Sequence, residues 1–298
     1  MATIRRLQGT GTAIVTPFTK DGALDEAALR RLVDYQTQGG VEILIPVGTT
    51  GESPSLSHDE RERVFEIVKE QAKGKAKVFG GTGSNSTQTS IEYTRLAKKT
   101  GLDGALIVGP YYNKPTQEGY FQHYRAIAEA VDIPIIVYNV PGRTGGNIEA
   151  ATTLRMAREI PSIVAVKEAS GNFAQIMEIA RNKPDNFSLL SGDDAITLPM
   201  MSLGADGCIS VVANEAPRDF SDLVRSCLAG NWTKARELHN RLLPLMNANF
   251  IESSPIPVKA ALAMMGMIEE VYRLPLVAIS PKNREKLRSI LAELKLVR

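Results

Sequence analysis

The chain's chemistry centres on one lysine. Lys167 closes the run Ile163-Val164-Ala165-Val166-Lys167, and Glu168-Ala169-Ser170-Gly171 follows it. A short apolar run bounded by turn residues reads as a strand buried on both faces, as in a parallel sheet. Lys167 then stands at the strand's C-terminal end, against apolar walls. Desolvation disfavours the charged form of an amine, so the neutral nucleophile becomes accessible near neutral pH, as imine formation with a carbonyl substrate requires. A lysine that snorkels to solvent, or pairs with Glu168, fits the same residues.

Other reactive side chains sit in short segments bounded by glycine or proline. Gly48-Thr49-Thr50-Gly51-Glu52-Ser53 places two hydroxyls beside adjacent backbone N–H groups. That is a nest suited to a carboxylate or oxyanion, and equally a turn leading into the next helix. Tyr111 and Tyr112 are adjacent in Gly109-Pro110-Tyr111-Tyr112-Asn113-Lys114-Pro115, where a core plug, an interface anchor and a proton relay all fit. In Tyr138-Asn139-Val140-Pro141-Gly142-Arg143-Thr144-Gly145 a phenol precedes an arginine in a Pro-Gly turn. The pair offers an acid–base group beside a planar carboxylate clamp, with a plain surface arginine as the alternative. Asp193 and Asp194, after Ser191-Gly192, read as helix caps, because no third carboxylate or histidine accompanies them. The only histidines, His58, His123 and His239, fall at no expected strand tip, which weighs against a zinc or histidine-nucleophile scheme.

These segments need a frame that brings them together. Strand-like runs at 12–16, 42–47, 77–81, 104–108, 133–138, 163–167, 187–191 and 207–211 alternate with amphipathic helical stretches. One helical stretch opens with the capping box Ser57-His58-Asp59-Glu60, and others close before Gly39, Gly101, Pro134 and Pro161. About eight strand–helix repeats predict an α/β fold, a (β/α)₈ TIM barrel, over residues 1–230. A helical extension follows over 231–298, packing on the barrel's outside or on a partner subunit. A doubly wound sheet is the competitor, but Gly9-Thr10-Gly11 and Gly80-Gly81-Thr82-Gly83 do not complete a dinucleotide fingerprint and read as turns. In a barrel the chemistry belongs at the C-terminal strand ends, where each of these segments falls.

Bulk properties narrow the class. The 298 residues are 43% hydrophobic and 23% charged, with a net charge of +2, so a sizeable core is available and there is no footprint for nucleic acid. No apolar run approaches the ~18 residues of a membrane span. The segment Met1 to Gly9 lacks a signal peptide's apolar region, and Cys208 and Cys227 fit no metal spacing, so a cytoplasmic location with inert thiols is expected.

The motifs Gly48-Thr49-Thr50-Gly51-Glu52, Tyr138 to Gly145 and Lys167-Glu168-Ala169-Ser170-Gly171 closely resemble the dihydrodipicolinate synthase family of pyruvate-dependent Schiff-base lyases and aldolases. With Gly109 to Pro115, Ser191-Gly192-Asp193 and Pro255-Ile256-Pro257-Val258-Lys259, the resemblance runs nearly the whole chain. Thr50 and Arg143 point to the synthases rather than to another 2-oxo-acid aldolase or dehydratase of the N-acetylneuraminate lyase superfamily. Gly142 stands where synthases commonly have serine, a minor departure.

The resemblance implies condensation of pyruvate with L-aspartate 4-semialdehyde, on the route to diaminopimelate and lysine. It implies that Lys167 forms the imine, that Tyr138 is the general acid–base, and that Thr49 passes protons between Tyr138 and Tyr112. Tyr112 resembles a tyrosine that reaches into the neighbouring subunit's site. Thr50 is expected on the pyruvate carboxylate and Arg143 on that of the second substrate, with Gly192 and Ile209 lining the pocket. No metal or organic cofactor is implied, and the assembly expected is a homotetramer, a dimer of dimers. Many members are inhibited by lysine. Ser53, Asn85 and Tyr111 match their lysine site, but Arg61 and Thr89 replace a histidine and a glutamate, so weak or absent inhibition is expected.

Overall fold

A computed structural model describes residues 6–297, so residues 1–5 and 298, at the ends of the two expected units and of the segment read for a leader, lie outside the described residues. Eight parallel strands close into a barrel in sequence order. They are β1 (Gly9–Ala13), β2 (Ile43–Ile45), β3 (Lys77–Gly81), β4 (Gly104–Val108), β5 (Ile135–Asn139), β6 (Ile163–Glu168), β7 (Ser188–Ser191) and β8 (Gly207–Ser210). Helices α1 (Glu26–Gln38), α2 (His58–Ala72), α3 (Thr87–Lys99) and α4 (Gln117–Ala130) follow the first four strands. After β5 come the single turn α5 (Pro141–Thr144) and α6 (Ala150–Glu159). Then α7 (Phe173–Asn182), α8 (Thr197–Ser202) and α9 (Pro217–Leu228) complete the ring.

Local signals set most helix starts. The Asp25 side chain caps α1 by accepting from the Ala28 N–H, Ser57 and Glu60 form the expected reciprocal box on α2, and Asn172 caps α7. Two readings need correction. Gly9-Thr10-Gly11 is not a turn but the start of β1, which lies three residues earlier than expected and pairs Gly9 to Thr12 with Gly207 to Ser210. A side chain at Gly11 would be tight, since its Cβ would lie 3.1 Å from Ile209 and the isoleucine would have to give way. Likewise Gly80 and Gly81 close β3, as the strand expected over 77–81 has them and the turn reading does not. At Gly11, Gly80 and Gly81 crowding selects glycine, whereas Gly9 also holds left-handed backbone at φ +101°.

Side chains alternate across the barrel wall. Ala13, Ile45, Phe79, Leu106, Ile136, Ala165, Leu190 and Ile209 fill the interior, while Ile107, Val137, Val166, Leu189 and Cys208 pack outward beneath the helices. Cys208 and Cys227 are buried free thiols, and burial pushes Cys227 up to about 11. The extension forms α10 (Trp232–Ala248), α11 (Ile256–Met264) and α12 (Pro281–Glu293). α10 lies against α9 and α12, and seven consecutive residues of α11, Ile256 to Leu262, are buried. Among the described residues no helix is long and apolar enough to cross a membrane.

Candidate active site

Period-two alternation decides which groups face the barrel's C-terminal mouth. Tyr138 on β5 and Lys167 on β6 are register partners, and both point inward. The Lys167 Nζ lies 4.2 Å from the centre of the Tyr138 ring, and the two side chains are almost fully buried. Glu168, one residue on, points the other way. Its carboxylate accepts from Asn139 Nδ2 at 3.0 Å, from the Ser170 N–H at 2.7 Å and from Gln175 Nε2 at 3.1 Å. That orientation removes the Lys167–Glu168 pairing and leaves the amine to the cavity. Gly192, at the end of β7, makes room for the lysine stem: a Cβ there would fall 3.1 Å from both Lys167 Cγ and Cε.

A cavity of about 120 Å³ opens above this pair, bounded by Lys167, Tyr138, Thr49, Thr50, Arg143 and Gly192. Six of the eight site residues expected from the sequence therefore converge. The turn carrying Thr49 and Thr50 is bracketed by two residues in the left-handed region, Val47 at φ +58° and Glu52 at φ +53°. A β-branched residue is strained there, and such strain gathers at binding sites. The turn's internal bonds come from the Gly51, Glu52 and Ser53 N–H groups, so those of Thr49 and Thr50 are not used in closing it. Arg143 is exposed on α5, and its Nη2 donates to the Ser254 carbonyl at 3.4 Å.

Two expected residues stand elsewhere. Ile209 is 1% exposed and packs inside the barrel among the interior apolar residues, while Val211 takes the place on the cavity wall. Tyr112 is 89% exposed, at φ +73°, and lines no part of this cavity in the single chain. Sequence reasoning missed Phe250 and Ser254, which reach the cavity from the loop before α11. No periodicity marks them, since they come from the extension and meet the barrel only in three dimensions.

A second cavity, about 430 Å³, adjoins the first across Thr49, Tyr138 and Arg143 and is lined by Ser53, Arg61, Ser84, Tyr93 and Tyr111. Arg61 is buried, donating to the Gly81 carbonyl at 3.0 Å and to the Ser53 carbonyl and hydroxyl at 3.1 Å, and stacking 3.9 Å above Tyr93. Asp193 caps the turn that follows β7, and Asp194 accepts the N–H groups of Val211 and Val212, with burial raising its carboxyl above the usual range. Asp193 is therefore the expected cap, whereas Asp194 ties the segment after β7 to the end of β8 instead of capping its own helix. Among the described residues no group of three or more His, Cys, Asp or Glu could hold a metal ion.

The residues 6–294 match the model of the dihydrodipicolinate synthetase family. The chain belongs to this family. It is 54% identical to a 4-hydroxy-tetrahydrodipicolinate synthase of Chlorobium phaeobacteroides strain BS1, over 98% of this chain and 99% of that one. It is 53% identical to the synthase of Koribacter versatilis, over 97% and 96%. The crystal structure of dihydrodipicolinate synthase from Aquifex aeolicus superposes with a TM-score of 0.95 at 46% identity, covering 97% of this chain and 99% of that one.

Proposed function

We propose that the protein is a 4-hydroxy-tetrahydrodipicolinate synthase, condensing pyruvate with L-aspartate 4-semialdehyde. One observation supports this most directly: the amine of Lys167 lies against the Tyr138 phenol ring in a cavity that the Thr49–Thr50 turn and Arg143 close. The amine adds to the ketone of pyruvate and loses water, giving an imine. A proton leaves the neighbouring methyl group, and the resulting enamine attacks the aldehyde of the second substrate. The amino group of that substrate then closes the ring onto the imine carbon and releases Lys167. The protonated imine is the electron sink, so the chemistry calls for no metal or organic cofactor.

Each residue takes one task. Tyr138 moves the protons, with Thr49 passing them to Tyr112 of the partner subunit. Thr50 and the free N–H groups of its turn hold the pyruvate carboxylate. Arg143 grips the carboxylate of the semialdehyde. Gly192 leaves space for the lysine stem, and Ile209 supports the cavity floor from below. The outward Tyr112 fits a homotetramer built as a dimer of dimers, working in the cytoplasm. Pyruvate with borohydride should attach one pyruvyl group, at Lys167, and Lys167→Ala should be inactive. A coupled assay with both substrates, run beside N-acetylneuraminate and 2-oxo-sugar acids, tests the choice of substrate. Labelling at another lysine, or turnover of the sugar acids alone, overturns the reading.

A further inference from the structure

The strained turn that presents Thr49 and Thr50 is gripped from the extension. Lys259, on α11, forms an ion pair with Glu52, which lies 207 positions earlier in the chain. Both side chains are wholly enclosed, at 0% and 1% exposure. The Arg273 N–H donates to the other oxygen of Glu52 at 3.3 Å, and the Phe18 ring lies 4.4 Å from the ammonium. Burial pushes the Lys259 amine down and the Glu52 carboxylate opposes it. A buried ion pair is seldom more stable than apolar side chains of the same volume, so its value lies in the geometry it imposes.

That geometry is needed at this turn. Val47 and Glu52 hold left-handed backbone on either side of the two threonines, and such conformations persist only where the surroundings over-determine them. From the barrel side, Thr16 Oγ1 donates to the Gly51 carbonyl at 2.7 Å and Arg61 to the Ser53 carbonyl at 3.1 Å. Lys259 supplies the anchor from the extension. The residue before the same helix's Pro255 cap, Ser254, accepts from Arg143, so one short segment touches both carboxylate receptors.

We propose that Lys259 is a positioning residue, which through Glu52 holds the Thr49–Thr50 turn in the geometry that receives the pyruvate carboxylate. This rests on the reading of the turn as that receptor. The test uses the full-length protein and measures the pyruvate concentration that half-saturates borohydride trapping, with the melting temperature alongside. Lys259→Met and the double variant Glu52→Gln/Lys259→Met should each raise half-saturation ~10- to 100-fold, the penalty of a misplaced receptor. The double variant leaves no lone buried charge, so it decides the matter where the single variant folds poorly. Leu291→Ala, in the core beneath α12, should lower the melting temperature while half-saturation stays within about twofold. If the double variant folds and half-saturates like wild type, or moves no more than Leu291→Ala, the pair is structural only and the proposal falls. If wild-type protein shows no trapping at Lys167, the reading of the site fails and takes this proposal with it.

Discussion

Replacing Arg143 by alanine should separate the two substrates. The guanidinium is exposed at the cavity mouth, and its contact with the Ser254 carbonyl, at 3.4 Å, leaves its fork open to a carboxylate. Hydrogen bonds to a charged group contribute ~1.5–3 kcal/mol each, and a bidentate pair near solvent falls short of twice that. A loss of ~2–4 kcal/mol corresponds to ~30- to 1000-fold in kcat/KM for L-aspartate 4-semialdehyde. On the proposed assignment pyruvate engages Lys167 and the Thr49–Thr50 turn and not Arg143, so borohydride trapping should stay within about threefold of wild type. Arg143→Lys keeps the charge without the planar fork and should fall between. The assays are steady-state kinetics with the semialdehyde varied at saturating pyruvate, and trapping followed by mass spectrometry. Equal losses in trapping and turnover would place Arg143 on pyruvate instead, and wild-type kinetics in Arg143→Ala would remove it from the site.

Three further outcomes are expected. Mixing inactive Lys167→Ala and Tyr112→Phe subunits under conditions of subunit exchange should restore part of the activity if the 89% exposed Tyr112 serves the neighbouring site, as proposed; no recovery places its action within its own chain. L-lysine should leave at least half of the activity at millimolar concentration, because Arg61 sets a permanent positive charge in the larger cavity and Thr89 carries none to pair with an ammonium; half-inhibition below millimolar refutes this. Burial of His123 pushes its imidazole down from 6.5 to about 4, so the unfolded chain binds a proton that the native chain refuses between those values. Stability should therefore fall by about 3 kcal/mol as pH drops through that window, and urea titrations at pH 7 and pH 4.5 should show a flatter dependence in His123→Gln; an unchanged slope argues against it.

Much of this was legible in the chain because it is set locally. Alternating strand and helix patterns announced eight units, and the caps at Asp25, Ser57 and Asn172 each accept the N–H of the residue three further on, with Glu60 returning the bond to Ser57. Tyr138 and Lys167 were readable because each lies where an apolar strand ends, and strand ends meet at one face of a barrel, whereas Gly192 came only from the family resemblance. The glycines of β1 and β3 misled, since a missing side chain signals a turn or a tight approach alike and only the neighbour across the ladder tells them apart. Ile209 and Val211, two residues apart, differ in depth: Ile209 lies within β8 in the barrel interior, whereas Val211 stands past the strand's end on the cavity wall.

By itself the sequence determined the kinds of chemistry available: an amine, a phenol, paired hydroxyls and a guanidinium, each at the end of a local element. Tertiary structure decided which of them meet. Register between β5 and β6 put Lys167 against Tyr138 and turned Glu168 away, although adjacency in the chain favoured the lysine–glutamate pair. Phe250, Ser254 and Lys259 acquire their roles only when the extension folds back over the barrel mouth, because contacts between segments so far apart in the chain leave no periodic trace in it.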